Sequence, residues 1–588
     1  MKRRVAVYLL LTTVASIAWI GYRFGGGNHS VQIPILKHYA DGSLYAGDLL
    51  MTTLDGYTTC FFPLMAPVTR AAGNVELPYF VTYVVCHGAT LAALYALSLL
   101  AFGHGPSAWL ACALYLLNPL SLAGESSLAS RLQHGHVATP LLLWAIFLYL
   151  RGRVVLAFAL CGLAFNLHGL YSLYVAAMLA TDGALRSRAW RPARMVAALA
   201  LFAVLASPAL VWLLRSSDPV PGGSLAPWLE IMRERSALHT FPLSQPAAVY
   251  GSYLLLVAAG VLGWAIAGAS ALRRPSLHFA LAVAVLCLAG LVFAEWWPVP
   301  LVIKAQLLRS TKWLTYLALL YLGRLLVLSW SWGLLARIGA VACGLSLVLQ
   351  EPLLLAVGVA CYLLEAGRWE LPVIAVGAAA LLVAALTGAA AVPDGLGVPR
   401  LTARLEDALG DHRLVTCLAL FLLVRAAAQG RFEKWALSAA TAVSCLYVLP
   451  ALYLASREAT RSQSWNEVQA WVRDNTPRDA VILTPPYRDG FRQFSERAIV
   501  GEWKDGTQQF FDVPFTFEWH RRMTQLGGQT RAFDNLDPSM LLALGREYGA
   551  EYVVVPGRVR HPFPKLFQNS VAAVYRLTPA APAVEQSR

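Results

Sequence analysis

Apolar runs of about twenty residues need lipid or a large buried core, and this chain is built mostly from such runs, closed by short basic clusters. Runs cover 5–24, 79–102, 107–123, 137–150, 195–214, 247–270, 277–294, 308–323, 338–350, 352–366, 371–391, 413–428 and 435–455. The stretch 154–180 is broken at Asn166-Leu167-His168-Gly169 and reads as two short helices. MKRR at 1–4, RGR at 151–153, RSRAWRPAR at 186–194 and RR at 273–274 lie between runs, as cytoplasmic loops do under the positive-inside rule. A soluble chain carries about 25% charged residues. Here 14% of 588 residues are charged and 57% hydrophobic, which excludes a soluble enzyme.

Charge is uneven along the chain. Residues 456–588 hold 17 Lys/Arg and 15 Asp/Glu, a soluble composition, while the preceding 455 residues hold 30 and 18. The expected fold class is an α-helical polytopic membrane protein of about 13–15 spans with a small C-terminal extracytoplasmic α/β domain. Its domains are 1–455, a transmembrane part with a long first outer loop over 25–78, and 456–588, the tail. Basic clusters put the N-terminus in the cytoplasm, and the span count puts the tail outside. In the tail, Ser464 and Glu467 predict a capping box, Ala480–Thr484 a strand, Asp537-Pro538 a helix start, and Gly549–Val555 and Val571–Leu577 two further strands.

The net charge of +14 sits mainly in those basic clusters, so it argues for topology and not for nucleic acid. Eight of nine cysteines lie in apolar runs, where they act as small hydrophobes, and no disulfide or zinc framework is present.

Ionisable residues at membrane depth are costly, so those at the outer ends of the runs are functional candidates. They are Asn28, His29, Asp41 and Asp48 in the first loop, Glu125, Arg131, Gln133, His134 and His136 in the second, Asn166 and His168 at the helix break, and Glu295, Lys304, Arg309 and Lys312 farther on. The tail adds Arg492, Glu502 and Lys504, with Trp503 as a surface on which a sugar could stack. Arginine suits a phosphate because its fork gives paired charge-assisted hydrogen bonds. A carboxylate or imidazole suits removal of a hydroxyl proton. His134, His136 and His168 could bind a divalent metal, but His-Gly-His spacing does not indicate one, and no cofactor is assigned.

Four stretches carry a resemblance: Leu44-Tyr-Ala-Gly-Asp48-Leu-Leu50 after the first span, the break Phe165-Asn-Leu-His-Gly169, Gln306-Leu-Leu-Arg309-Ser-Thr-Lys312-Trp313, and Trp471–Leu483 opening the tail. Their layout resembles the GT-C superfamily of membrane glycosyltransferases. GGGNH, LYAGD and SERAIVGEWKDG together resemble a bacterial group within it. The resemblance implies an inverting transfer of a sugar from a polyprenyl-phosphate carrier to a glycan, lipid or protein acceptor at the outer face of a bacterial inner membrane. It implies donor-phosphate binding by Arg309, Lys312, Lys304 and His168. Arg131, Gln133, His134, Arg492, Glu502, Trp503 and Lys504 would face the acceptor or its sugar. Related enzymes keep an acid just after the first span, where this chain has Asn28-His29. His29, Asp41 or Asp48 would then supply the base. The alternatives are a polar-lipid transporter or flippase and a non-catalytic partner of glycan assembly.

Overall fold

The computed structural model describes residues 3–118, 121–125, 128, 130–186, 192–216, 225–268, 270–365, 370–389 and 441–578. The expected span 413–428, the start of the one at 435–455 and the centre of the basic cluster 186–194 lie outside the described residues. Among the rest, five helices are long and apolar enough to cross a bilayer: Glu76–Phe102, Pro192–Arg215, Ala247–Ile266, Arg273–Trp296 and Leu307–Ser329. Shorter apolar helices, His134–Leu150 and Val154–Phe165 among them, pack between these. The chain is therefore an α-helical, multi-pass membrane-type bundle carrying a small C-terminal domain with a mixed sheet, which is the fold class expected.

One long helix turns its small residues inward and its large apolar ones outward. Helix Pro192–Arg215 buries only Ala198, Ala206 and Ala209, while Val196, Val204 and Leu214 are 66–70% exposed. That pattern is the reverse of a water-soluble helix and fits lipid on the outside, with small residues letting helices approach. A Cβ on Gly260 or Gly263 would come within 2.7 Å or 2.2 Å of the backbone of helix Thr311–Ser329, so both glycines permit that close crossing.

The break at 166–168 has a polar cause. Pro208 has no N–H and opens helix Pro192–Arg215 one turn back. The Asn166 side chain fills the gap, donating to Leu205 O at 2.7 Å and accepting from Ala209 N at 3.0 Å. The adjoining helix resumes at Gly169, capped by His168, whose Nδ1 accepts from Tyr171 N at 3.3 Å.

The first loop is more ordered than its mixed composition suggests. It holds helices His29–Ala40 and Phe61–Ala72, and it packs beneath the C-terminal domain. In that domain the strands are β1 (Val481–Leu483), β2 (Ala498–Ile499), β3 (Ala550–Pro556), β4 (Lys565–Gln568) and β5 (Ala572–Arg576). Their order is β2-β1-β3-β5-β4, with β1 parallel to both β2 and β3, and β5 antiparallel to both β3 and β4. Tyr552 and Val554 meet Val468 and Val472 of helix Ser464–Asn475, while Val553 and Val555 meet Trp519, Leu541 and Leu544 on the other face. Alternation along β3 thus buries both faces of the sheet. The capping box expected at Ser464 is absent: Gln463 is the N-cap and its side chain makes no cap bond, and Glu467 accepts from Asn569. A reciprocal box forms at Glu502 and Asp505 instead.

Candidate functional site

Three helix ends and one loop converge at the end of the bundle that carries the C-terminal domain. The loop turns through Ala123 (φ +58°) and Gly124 (φ +62°) and presents Glu125. Gly124 is required twice, by its left-handed backbone and by the His239 ring, which a Cβ would meet at 2.5 Å. His239 Nδ1 in turn donates to Ala123 O at 2.7 Å, which fixes the turn. Gln306, also left-handed at φ +47°, redirects the chain so that Arg309 and Lys312 point at Glu125.

The Glu125 carboxylate is held from three sides. Arg309 donates to it through Nε and Nη2. The Tyr171 hydroxyl donates to its other oxygen, and Lys312 Nζ stands 3.6 Å from that oxygen. Arg309 Nη1 donates to the Gln306 side chain, and Lys312 Nζ donates to the Tyr171 hydroxyl oxygen at 3.2 Å. Burial opposes the charge on Glu125, yet Arg309 and Lys312 outweigh it and hold the carboxyl at about 2. Arg309 keeps 22% of its side chain exposed, while Glu125 and Lys312 lie behind it at 4% and 1%. One carboxylate and two cations leave the cluster with an excess positive charge.

A ring stack backs this cluster. His168 lies 3.8 Å from Tyr171 and 5.0 Å from His134, centroid to centroid and nearly parallel. Gly135 makes the stack possible, since a Cβ there would lie 3.0 Å from Tyr171 and 3.1 Å from His168. Packing thereby accounts for His134 and Gly135. His134 Nδ1 accepts from Gln32 at 3.0 Å. Among the described residues no group of three His, Cys, Asp or Glu is arranged to hold a metal ion.

Of the donor-side residues expected from sequence, Arg309, Lys312 and His168 meet here, and His134 from the acceptor set joins them. Lys304 ends the short helix Pro300–Lys304 just before. Trp296, Trp297 and Leu301, in the segment leading to Arg309, are 60–76% exposed apolar side chains.

The first-loop residues are differently engaged. Asp48 is fully buried and caps the turn at 49–55, accepting from Leu50 N at 2.9 Å. Its oxygens also accept from Arg492 at 2.6 Å and 2.9 Å and from Ile499 N at 2.9 Å. His29 spends both ring nitrogens on backbone, Nδ1 accepting from Gly25 N at 3.1 Å and Nε2 donating to Leu132 O at 2.6 Å. Burial lowers its pKa to about 4, so it is neutral. Asp41 is half-exposed on the surface, bonded to Ser43 and paired with Arg478.

Arg492, expected to face the acceptor, is instead fully buried, as is Glu502. Arg492 donates to Asp48 and, twice at 2.9 Å, to Asp505, and Glu502 stands 3.7 Å away. These two residues are the charged joint between first loop and C-terminal domain, because full burial leaves nothing for a sugar to touch. Burial, with Asp505 next, pushes the Glu502 carboxyl well above the usual carboxylate range, and burial raises Asp505 as well. Trp503 packs on Trp519 at 5.2 Å with Arg235 over its ring, and burial, with Arg235 next, lowers the Lys504 pKa. Arg131 donates to Gly25 O at 2.9 Å beside the glycine run, and Gln133 is the N-cap residue of helix His134–Leu150.

Sequence reading gave no role to Glu125, Tyr171, Gln306, His239 or Asp505. Glu125 was visible as an ionisable residue between apolar runs, Gln306 and Asp505 lay inside quoted stretches without being singled out, and Tyr171 and His239 gave no signal.

Residues 463–526 match the model of a domain of unknown function, DUF6798. No curated protein matches the chain. Among solved structures, the chain is similar to ArnT from Cupriavidus metallidurans bound to undecaprenyl phosphate, with 14% identity, a TM-score of 0.47, and 98% of this chain and 97% of that chain covered. It is also similar to the same protein in the apo state, with 13% identity, a TM-score of 0.38 and the same coverage of both chains.

Proposed function

We propose that this chain is an inverting membrane glycosyltransferase that takes a sugar from a polyprenyl-phosphate carrier and transfers it to an acceptor at the outer face of the bacterial inner membrane. One observation carries the reading: a buried carboxylate faces two cations at a helix break, and the segment leading to Arg309 exposes apolar side chains. Arg309 and Lys312 offset the charge that develops on the leaving phosphate, and the lipid tail lies along Trp296, Trp297 and Leu301. Glu125 accepts the proton of the acceptor hydroxyl. It is preferred because it stands beside the two cations that would hold the phosphate, whereas Asp48 is buried in the pair with Arg492, His29 spends both ring nitrogens on backbone, and Asp41 pairs with Arg478 on the surface. In this reading domain 456–588 lies outside the cytoplasm, and Arg131, Gln133, Trp503 and Lys504 border the acceptor. A transporter would place its ionisable residues midway along the helices, whereas this cluster sits at helix ends.

The test uses Arg309. Lysine keeps the charge but loses the paired donors. Arg309→Lys should weaken binding of a polyprenyl phosphate by about 1–2 kcal/mol, and Arg309→Ala by more. Equal affinity of wild type and Arg309→Ala, measured in detergent with a labelled carrier, would remove the carrier site from this cluster.

A further inference from the structure

The edge of Arg309 that would grip a phosphate is already full. Nε and Nη2 form the paired edge of a guanidinium, and both donate to Glu125. The remaining nitrogen, Nη1, donates to Gln306. Lys312 faces the other Glu125 oxygen at 3.6 Å. A carboxylate with two oxygens between an arginine fork and an ammonium is the arrangement that a phosphate would itself adopt.

The surroundings favour exchange over permanent pairing. Arg309 is the open member of the cluster, 22% exposed, so an incoming anion meets it before it meets Glu125. Glu125 stands at the end of a turn fixed by Ala123 and Gly124, so its carboxylate can swing by side-chain rotation with the backbone in place. Tyr171 donates to the carboxylate while accepting from Lys312, and it can keep the second bond when the first is lost.

We infer that Glu125 is an internal surrogate for the carrier phosphate, displaced from Arg309 when the phosphate binds and thereby released to act as the base. The inference rests on the transferase reading and adds the order of events to it. While paired, Glu125 is a poor proton acceptor, because two cations stabilise its charge. Once the phosphate takes over Arg309, that stabilisation is shared out and the carboxylate becomes more basic. The acceptor oxygen then bonds to the anomeric carbon, the carbon–oxygen bond to phosphate breaks with its electron pair going to the phosphate, and the hydroxyl proton passes to Glu125. When the polyprenyl phosphate leaves, Glu125 returns to the two cations and gives its proton to water. Base strength is thus available only when a donor is bound, which protects the empty site from idle chemistry.

The experiment measures binding of a short-chain polyprenyl phosphate to purified full-length protein in detergent, with the uncharged polyprenol as control. Glu125→Gln keeps the shape and removes the competing charge, so it should bind the phosphate about 10-fold more tightly while sugar transfer falls by roughly 10²-fold. Tyr171→Phe, which only loosens the hold on Glu125, should tighten binding by about 2- to 3-fold. In an Arg309→Ala background the gain from Glu125→Gln should vanish, since the two would no longer compete for one fork. Unchanged or weaker binding by Glu125→Gln overturns the inference, and so does a gain that survives in the Arg309→Ala background, which would be a general effect of charge. If neither wild type nor any variant binds the phosphate, the carrier reading falls and the inference with it. Tighter binding by Glu125→Gln in a protein that transfers no sugar would keep the surrogate and refute the transferase.

Discussion

Arg492→Ala is the sharpest test of how the C-terminal domain is held to the membrane part. The guanidinium is fully buried and makes four hydrogen bonds of 2.6–2.9 Å, two to Asp48 and two to Asp505. Asp48 and Asp505 lie far apart in sequence, so the arginine joins the first loop to the domain. Alanine would leave both carboxylates buried and unpaired, and Glu502 beside them. Removing one partner of a buried ion pair costs about 3–5 kcal/mol, which here loads on the joint. A cost of about 4 kcal/mol raises the open population roughly a thousandfold. Limited proteolysis in detergent, reading release of the fragment after 456, reports that population directly. The joint also carries a pH sign. Glu502, raised by burial and by Asp505, holds its proton more tightly in the closed joint than in the opened one. Its stabilisation is complete below the ordinary carboxyl value near 4.5 and fades as pH climbs toward the raised value. Wild-type protein should therefore be cleaved faster at alkaline than at mildly acid pH, and Glu502→Gln should lose most of that dependence. Cleavage of Arg492→Ala at the wild-type rate would refute the argument.

Three further outcomes follow from single positions. Gly124→Ala puts a Cβ against the His239 ring at a left-handed backbone, so it should displace Glu125 and cut sugar transfer by at least about tenfold, read in a transfer assay. Asp41→Asn removes an exposed surface pair with Arg478, so transfer should stay within about twofold and stability within about 0.5 kcal/mol by thermal unfolding. On a cysteine-free background, Asp41→Cys and Asp537→Cys should react with an impermeant thiol reagent from outside intact cells and Arg151→Cys should not, and protection of the first two would reverse the orientation.

The helix bundle was legible because its signal is local. Each apolar run declares itself within about twenty residues, and the break at Asn166–His168 showed as polar residues inside such a run. The cause of the break was not legible, since Asn166 answers a gap opened by Pro208 on another helix. In the tail, β1, β3 and β5 stood out as short buried runs. β2, two residues long, and β4, four residues long and mostly exposed, were missed because their pattern is too short to rise above the loops around them. The capping box at Ser464 failed for a related reason, as Glu467 found Asn569 a more available partner.

In the proposed site the sequence pointed to the cations and not to the acid, and the asymmetry has a physical basis. Arg309 and Lys312 stand in one short segment after exposed apolar residues, and both point at one place, so sequence proximity carried the inference. The acid had to be chosen among several carboxylates, and a carboxylate's availability depends on who has already bonded to it. Asp48 looked free in the sequence because its partner lies 444 residues away. The two buried clusters then divide the labour by their charge balance. At the joint, one arginine meets three carboxylates, an excess of negative charge that no anion would enter. At the bundle end, one carboxylate meets an arginine and a lysine, an excess of positive charge. The first arrangement fastens the domain, and only the second leaves a cation with exposed surface to receive a phosphate.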